Sequence, residues 1–276
     1  MLHDCACLGR AEIVEILTLQ PQCQVNLKGY EGRTALHEAA RGGHVDCIDV
    51  LMRAGADVDA KEDVIGATPL ILSLFASHHR SALKLIRDYK ANRNVKDANG
   101  DTPLHWAAYH GHVAVIKELV MPVDGQSCQI IDAAGRNGRT PLHHTCEVGH
   151  MACLDELMTH GGADVNVKDN DGQTALHLAA EYNHPTLVNA LVATYGAHIN
   201  STDAQGNTAL HLAARRKRVA WAGHARSDVI RNLLSHPQCD VSIQNSFGQT
   251  AAVIERELGH CDIAEHLGCG LGFYTI

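Results

Sequence analysis

Histidine and cysteine are the residue types in this chain best suited to metal or acid–base chemistry, with 20 and 10 copies among 276 residues. Their closest grouping pairs His143 with Cys146 and His150 with Cys153, each pair three positions apart. On a helix this spacing places both side chains of a pair on one face, and two such pairs could supply the four ligands of a zinc site. Small, soft cysteine is also an ordinary filler of an apolar core, and we expect the core role here.

Signatures of catalysis are missing from the sequence. It contains no GxSxG, P-loop or HExxH motif. The glycine-rich stretch GCGLG at 268–272 lacks the preceding strand and the following helix that a dinucleotide-binding loop requires. We therefore expect a non-enzymatic protein with no catalytic residues, no metal, no cofactor and no small-molecule substrate.

The charge of the chain is negative overall but includes one basic run. A formal net charge of −8 repels phosphate backbones, so nucleic-acid binding in general is disfavoured. The exception is RRKR at 215–218, with Arg226 nearby and Trp221 between them. We favour a solvated loop; the alternatives are a docking patch for an acidic partner, with Trp221 as its anchor, or a nuclear-import signal.

The location expected from the sequence is intracellular, in the cytoplasm or the nucleus. No apolar run is long enough to cross a bilayer, and the first residues lack the basic and apolar regions of a signal peptide. The cysteines are scattered without the spacing of a disulfide scaffold, which favours free thiols in a reducing compartment.

An internal repeat organises the whole chain. Threonine recurs at a nearly constant interval, the one that separates Thr34 from Thr68, and only two of the intervals are longer. The positions are Thr34, Thr68, Thr102, Thr140, Thr174, Thr208 and Thr250. Leucine follows two positions later in most copies. Self-similarity of this kind indicates one small structural unit used many times.

Each copy predicts a pair of short helices. Threonine is a good N-cap, because its hydroxyl accepts an orphan backbone N–H of the helix that it precedes. Proline then suits the first helical position, and glycine suits the left-handed residue that ends the first helix. The prolines are Pro69, Pro103 and Pro141, and the glycines are Gly43, Gly111 and Gly149. Such short helices are marginal alone, so burial must come from stacking on the next copy.

The copies GRTALHEAARGGH, GDTPLHWAAYHGH and GQTALHLAAEYNH resemble the ankyrin repeat, and the resemblance covers almost the whole chain. It implies an all-α repeat solenoid, in which helix–turn–helix units joined by hairpin-like loops form an L-shaped, curved stack. We predict a single array over 1–276. Its segments are 1–29 (truncated repeat), 30–62, 63–96 (degenerate repeat), 97–134 (with an insertion), 135–168, 169–202, 203–244 (with a basic insertion), 245–268 (C-terminal cap) and 269–276 (tail).

Departures from the repeat pattern predict local differences. Ile71 stands where the other copies have histidine, so a hydrogen-bond link should be missing there. The chain enters in the middle of a repeat, which suggests that half a repeat precedes it. Glu255 and Arg256 replace the usual small pair, and we expect both to lie on an outer face turned to water.

The resemblance implies that most histidines are structural, forming hydrogen bonds within and between repeats. One set occupies the Thr-x-Leu-His position, at His3, His37, His105, His143, His177 and His211. Another occupies the Gly-His position or its equivalent, at His44, His112, His150, His184, His224 and His260.

A protein partner should bind where the resemblance exposes residues, at the turn tips and the ends of the first helices on one concave face. The predicted contact residues are Arg33, Arg41, Phe75, Asn99, Asp101, Trp106, Tyr109, His110, Arg136, Arg139, Glu147, Asp171, Gln173, Glu181, Tyr182, Gln205, Asn207, Arg215 and Arg216. Phe75, Tyr109 and Tyr182 are the preferred anchors, because binding hot spots favour large aromatic residues. Trp106 is predicted either to contact the partner or to pack between repeats.

The function expected is that of a monomeric scaffold or adaptor for a protein partner. One alternative is the substrate-recognition arm of a larger signalling or ubiquitin-ligase protein. Another is binding to anionic lipid or nucleic acid through the basic insert at 215–226. The resemblance further implies a loop-capping role for Asn166, which in the family can also be a site of hydroxylation.

Overall fold

The computed structural model describes residues 1–122, 130–215 and 225–258, apart from the side chains of 225–227. Throughout these residues the regular structure is helical, with no strand. The α-helices are α1 (Leu2–Cys7), α2 (Ala11–Thr18), α3 (Ala35–Arg41), α4 (Val45–Arg53), α5 (Pro69–Phe75), α6 (His79–Arg87), α7 (Pro103–Tyr109), α8 (Val113–Val120), α9 (Pro141–Val148), α10 (Met151–Glu156), α11 (Ala175–Glu181), α12 (Pro185–Ala193), α13 (Ala209–Arg215), α14 (Ala225–Leu234) and α15 (Ala251–Glu257). This confirms the predicted all-α repeat fold.

Two compact units make up the chain. The first comprises Met1–Arg136 with Asp155–Gly162, and the second comprises Asn137–Leu154 with Ala163–Ile276. In unit 1 the first helices α1, α3, α5 and α7 contact one another in order, and the second helices α2, α4, α6 and α8 do the same. In unit 2 the first helices α9, α11, α13 and α15 stack in order, with α12 against α14.

Small and branched apolar side chains fill the space between stacked helices. In α3 the alanines Ala39 and Ala40 are fully buried, and in α4 Ile48 and Leu51 are fully buried. Alanine lets two helix backbones approach closely, whereas the larger residues fill the wider gap between the second helices. The core is therefore continuous along each unit rather than gathered at one centre.

Threonine and histidine begin the first helices as the sequence predicts. In α3 the backbone N–H of Thr34 donates to Nδ1 of His37 at 3.1 Å, and the ring Nε2 donates to the carbonyl of Ala67 in the next repeat at 3.1 Å. The same intra-repeat bond forms at Thr102–His105, Thr140–His143, Thr174–His177 and Thr208–His211. Because Nδ1 accepts and Nε2 donates, each ring is a neutral imidazole in one tautomer.

Glycine and histidine end the first helices. Gly43, Gly111 and Gly149 have φ of 76°, 74° and 97°, which confirms the predicted left-handed residues. The following histidine reaches back across the stack: Nε2 of His44 donates to the carbonyl of Cys7 at 2.9 Å, and Nε2 of His112 to that of Leu74 at 3.0 Å. These bonds, together with the one from His184 to the carbonyl of Glu147 at 3.0 Å, confirm the predicted link for three histidines of the second set, whereas His224 and His260 lie outside the described residues.

The degenerate repeat lacks the imidazole link, as predicted. Ile71 is fully buried, and the Thr68 hydroxyl accepts the Ile71 N–H at 3.4 Å without any ring to continue the bond. Ile71 belongs instead to an apolar cluster with Ala67 and Leu72, against which Ile65 and Trp106 pack. Apolar packing thus replaces one directional hydrogen bond at this position.

One expectation about the last helix is wrong. Glu255 was expected to face water with Arg256, but Glu255 is 0% exposed, whereas Arg256 is exposed. On α15 the two positions are adjacent, so they point in different directions around the helix axis. The glutamate that occupies the inner alanine position is therefore enclosed.

Candidate functional site

Buried acceptors at the base of most of the described turns hold the turn tips in place. In the third turn Oδ1 of Asp97 accepts the backbone N–H groups of Asn99 at 2.8 Å and Asp101 at 2.9 Å. The same arrangement recurs at Asp169, Asp203 and Asn245. A short polar side chain can bond backbone groups two and four positions ahead, which fixes a tight turn. The repeated Asp or Asn at this position is the signal from which the sequence could have predicted these residues.

Neighbouring tips are joined through their backbones. In unit 1 the Ala98 N–H donates to the carbonyl of Ile65 at 2.7 Å, and in unit 2 the Ala204 N–H donates to that of Asp171 at 2.8 Å. Side chains at the tips therefore project from a hydrogen-bonded row rather than from independent loops.

The predicted contact residues fall into groups by exposure. Those exposed are Arg41, Phe75, Asn99, Tyr109, Arg136, Asp171, Tyr182, Gln205 and Arg215. Those half-buried are Arg33, Trp106, His110, Arg139, Glu147, Gln173 and Glu181. Arg216 lies outside the described residues, as do the rest of the basic run and Trp221.

Asp101 and Asn207 require a correction, because both were predicted as free contact residues and both are buried, at 7% and 4% exposed. Oδ1 of Asp101 accepts the Arg136 N–H at 2.9 Å. The Asn207 amide donates to Asp203 at 3.1 Å and accepts from Asn245 at 3.0 Å. These side chains tie one turn to the next, so their polar atoms are already used.

Unit 1 presents aromatic side chains. The rings of Phe75 and Trp106 meet edge to face with centroids 5.6 Å apart, and Trp106 stacks on His110 at 6.0 Å. Tyr109 meets His110 edge to face at 5.2 Å. The Trp106 Nε1 donates to Oδ2 of Asp97 at 3.0 Å, so its polar end is satisfied. Of the two roles predicted for Trp106, packing between repeats is the one observed, and part of its ring stays accessible.

The second turn of unit 1 is one residue longer than its neighbours, a feature that we did not predict. The Glu62 N–H donates to the carbonyl of Ala67, whereas the Asp97 N–H donates to that of Asp101, one residue closer along the chain. The Glu62 carboxylate accepts the N–H groups of Val64 at 2.8 Å, Ile65 at 2.7 Å and Ala67 at 3.0 Å. Glutamate reaches across the longer turn as aspartate does across the shorter ones.

The longer turn presents apolar residues at its tip. Val64 is 59% exposed and Ile65 half-buried, where the next turns along the chain carry polar residues such as Asn99 and Asp171. We call Val64, Ile65, Phe75, Trp106 and Tyr109 the aromatic face. Val64 and Ile65 were missed, although the run Val-Ile-Gly in place of a polar turn was a usable signal.

Unit 2 presents charged side chains at the ends of its first helices and beside them. Arg139 contacts Glu147 at 2.8 Å and Asp169 at 3.5 Å, and the imidazole of His144 lies 3.5 Å from Glu147. The pKa of Glu147 is lowered to about 2 by the hydrogen bond from His144 and by the charge of Arg139, against the opposing effect of burial. Burial and the nearby Glu147 carboxylate raise the pKa of Tyr182.

A second ion pair of unit 2 is more exposed. Arg215 lies 3.6 Å from Glu181, with most of its guanidinium in water. Exposed pairs of this kind contribute little to stability. We call Arg139, Glu147, Glu181, Tyr182 and Arg215 the ionic face.

The histidine–cysteine group has the surroundings of a core. Both ring nitrogens of His143 are used, by Thr140 and by the carbonyl of Gln173 at 3.0 Å, and burial lowers its pKa to about 4. Cys146 and Cys153 are fully buried, and burial raises the pKa of the Cys146 thiol. Among the described residues no three His, Cys, Asp or Glu side chains are placed to hold a metal ion.

Asn166 has the loop-capping role that the resemblance implied. Its Oδ1 accepts the backbone N–H of His198 in the next repeat at 2.8 Å. Asn200 repeats this contact with the N–H of Asp240 at 2.9 Å. Hydroxylation of Asn166 stays a prediction. Across the described parts of the chain, no helix has both the length and the apolar character needed to cross a membrane.

Comparison with known proteins gives a consistent family. A family model described as "Ankyrin repeats (3 copies)" matches residues 2–97, 62–132, 123–203 and 153–245. Among curated proteins, the chain is 28% identical to a protein of Oryza sativa named as an E3 ubiquitin-protein ligase, XBOS32, over 43% of this chain and 30% of that protein. It is 27% identical to the glycerophosphocholine phosphodiesterase GDE1 of Candida albicans, over 42% of this chain and 10% of that one.

A third relative is the B-cell lymphoma 3 protein homolog of Mus musculus. It is 32% identical over 35% of this chain and 21% of its own length. The chain thus spans less than a third of the length of each of these three relatives.

Proposed function

Because the chain belongs to the ankyrin-repeat family, whose repeats mediate protein–protein interaction, we propose that it is a non-enzymatic scaffold or adaptor for a protein partner. The partner contacts the turn tips and the ends of the first helices. We further propose that the chain is monomeric and acts inside the cell, in the cytoplasm or the nucleus.

One observation carries this proposal. Residues that recur in the repeats are buried and hydrogen-bonded within the fold, whereas many residues that differ between repeats are exposed to solvent. Thr34, His37 and Asp97 are buried and hydrogen-bonded, whereas the exposed Phe75 and Tyr109 occupy equivalent positions in successive repeats. A surface of irregular chemistry on a regular frame is what recognition of one partner requires, because specificity needs side chains that differ from repeat to repeat.

A second candidate function is the substrate-recognition arm of a larger ligase. It is supported by the match to the protein named as an E3 ubiquitin-protein ligase, of which the chain covers 30%. The surface and the mechanism of recognition are the same in both proposals, and the difference lies in what the rest of the larger protein does.

Capture of a partner tests the proposal. The chain is immobilised and exposed to a lysate of its source organism, and bound proteins are identified by mass spectrometry. We expect the variant that combines Tyr109→Ala with Tyr182→Ala to fail to capture specific proteins that the parent chain captures, since both tyrosines are exposed anchors. The matched control changes Leu19 and Asn189 to Ala, which are exposed on the second helices α2 and α12 or their ends.

Stability must be followed alongside capture. We expect the free energy of unfolding of the double tyrosine variant to stay within about 1 kcal/mol of the parent, as for most surface changes. Capture that is the same for parent, double variant and control would contradict binding through these positions. Binding that falls steeply with ionic strength would instead support the basic insert as the contact, because phosphate-driven binding depends strongly on salt.

A further inference from the structure

We propose that the aromatic face binds an extended, acidic segment of the partner that carries one aromatic or large aliphatic anchor. This inference rests on the proposed function and names both the place of binding and the chemistry of the ligand. The anchor packs on Phe75, Tyr109 and Ile65, and acidic residues beside it pair with Arg41 and Arg136.

Three side chains of this face expose apolar area to water. Val64 is 59% exposed, Phe75 56% and Tyr109 44%. They are connected rather than scattered: Ile65 and Trp106 pack on the same buried cluster, and Trp106 touches Phe75. Single exposed apolar residues are normal on a protein surface, but a continuous patch rimmed by polar residues marks an interaction site.

The face is also rigid before any ligand arrives. The Glu62 carboxylate holds the turn that carries Val64 and Ile65 with three backbone hydrogen bonds. Asp97 fixes the Trp106 ring through its Nε1. Side chains that are already ordered lose little conformational freedom on binding, so more of the contact energy appears as affinity.

The ring geometry favours an apolar anchor over a cationic one. Phe75 and Trp106 meet edge to face at 5.6 Å, with an angle of 75° between the ring planes. Two rings in contact leave no slot between their faces for an ammonium group, as an aromatic cage would need. What remains accessible is the outer surface of Phe75 and Tyr109, on which a flat or branched apolar side chain can lie.

Charge around the face indicates an acidic ligand, although the chain as a whole is acidic. The carboxylates of Glu62 and Asp97 are buried and point inward to backbone N–H groups. Glu38 is largely enclosed beneath Arg41, whose guanidinium is almost half exposed. Arg136 is exposed and forms no ion pair with a residue in the described parts of the chain. Arg41 pairs with Glu38 at 3.5 Å. Asp63, which lies beside Val64 and is exposed, pairs with Lys28 at 2.7 Å. Arg136 therefore offers an acidic ligand a cation that is not already paired within the described residues, and the half-exposed Arg41 offers a second one.

Spacing along the stack sets the form of the ligand. Arg41, Phe75 and Tyr109 occupy equivalent positions in three successive repeats, at the ends of the stacked helices α3, α5 and α7. Packed helices lie about 8–10 Å apart, and an extended chain covers that distance in about three residues. An acidic residue about three positions from the anchor would therefore reach Arg41 while the anchor lies on Phe75.

A displayed peptide library tests the inference directly. Phage carrying random peptides of about 12 residues (about 40 Å extended) are selected on the full chain, and enriched peptides are synthesised for affinity measurement. We expect enriched peptides to carry Asp or Glu about three positions from Phe, Trp, Leu or Ile. We expect Phe75→Ala to weaken their binding at least about tenfold, as loss of a hot-spot residue does.

Charge reversal provides a second variant whose folding is not in question. Arg136→Glu should weaken binding about tenfold, because it puts a like charge beside the ligand. Its control is Arg80→Glu, another exposed arginine, which lies on the second helix α6; this change should leave affinity within about twofold. Circular dichroism and thermal melting accompany every variant.

Three results would overturn the inference: enrichment of basic or uncharged peptides, peptides bound equally well by the Phe75→Ala and Arg136→Glu variants, or no enrichment at all. If enriched peptides depend on Tyr182 instead, the inference fails while the proposed function stands. The proposed function itself is tested by the separate capture experiment. It fails if the double tyrosine variant captures the same proteins as the parent chain.

Discussion

The aromatic face of unit 1 and the ionic face of unit 2 share one position of the repeat, at the end of the first helix, but differ in what they leave unsatisfied there. Phe75 and Tyr109 expose apolar area to water. Glu147 and Glu181, at the corresponding positions, are paired with Arg139 and Arg215. A partner of unit 2 must compete with existing ion pairs, whereas a partner of unit 1 displaces water from apolar rings. One frame thus carries an open surface in one unit and a self-paired surface in the other.

Removing the Trp106 ring from the aromatic face should have the largest effect on the free energy of unfolding. Trp106→Ala deletes the contact with Phe75 and leaves the Oδ2 atom of Asp97 without its indole donor. We expect the free energy of unfolding measured in urea to fall by about 3 kcal/mol. Trp106→Phe keeps a ring and loses only the donor, so its loss should be about 1 kcal/mol. Equal losses would show that packing contributes little to the aromatic face.

Breaking the half-buried pair of the ionic face should have the next largest effect. Arg139→Ala leaves the carboxylates of Glu147 and Asp169 without their guanidinium. We expect a loss of about 2 kcal/mol in the same urea measurement. Arg215→Ala is the control, since its pair with Glu181 is exposed and should contribute less than about 0.5 kcal/mol. A small loss at Arg139 would mean that the ionic face is as open to a partner as the aromatic face.

Acid should act on both units through histidine, and at lower pH through carboxylates, of which Glu147 in unit 2 has a pKa lowered to about 2. Burial lowers the pKa of His37 and of His143 from 6.5 to about 4. The unfolded chain therefore takes up protons first, and stability should fall as the pH is lowered from 6.5 towards 4. His37→Gln combined with His143→Gln should flatten that slope in urea unfolding followed across this range. An unchanged slope would exclude these rings as its cause.

Glu147 should add a second acid-sensitive step confined to unit 2. Its pKa is lowered from 4.5 to about 2, so its contribution is complete above 4.5 and is lost as the pH falls towards 2. Glu147→Gln should remove this step and leave the histidine step unchanged, which urea unfolding below pH 4.5 can measure. A step that survives in the variant would have to come from other carboxylates.

The smallest expected effect comes from single valine changes, which should distinguish the two faces in peptide binding but not in stability. Val64→Ser and Val148→Ser remove similar exposed side chains, one at the tip of the longer turn in unit 1 and one at the end of α9 in unit 2. Both should change the free energy of unfolding by less than about 0.5 kcal/mol. Only Val64→Ser should weaken a selected peptide, by about threefold for the loss of part of one apolar contact. Equal weakening by both would extend the contact to unit 2.

The frame could be predicted from the sequence because each of its residues acts locally. Thr34 with His37 is a cap within one helix turn, and Gly43 is a left-handed residue in one connection. Asp101, Asn207 and Glu255 were wrongly expected at the surface, because their burial depends on the adjoining turn or helix and not on their own segment. Position in a repeat predicts backbone conformation more reliably than it predicts which side chains remain exposed.

The spacing of the threonines does not reveal the longer turn, because the segment before that turn is one residue shorter. Glu62 follows Thr34 one position sooner than Asp97 follows Thr68, so one residue is lost before the turn and regained inside it. The interval from Thr34 to Thr68 therefore equals the interval from Thr68 to Thr102. A spacing argument cannot detect such a shift, but the identity of Glu62, one methylene longer than the usual acidic residue, could have indicated it.

Ile71 has a mechanical consequence for unit 1. Elsewhere the imidazole fixes the angle between one first helix and the next, because a hydrogen bond to a carbonyl has a preferred direction. Between α5 and α7 that bond is replaced by non-directional contact among Ile71, Leu72 and Trp106, although the bond from His112 to the carbonyl of Leu74 remains. Within unit 1 this junction therefore lacks the directional constraint that His37 supplies at the junction between α3 and α5, and it lies beneath the exposed rings that a bound partner would contact.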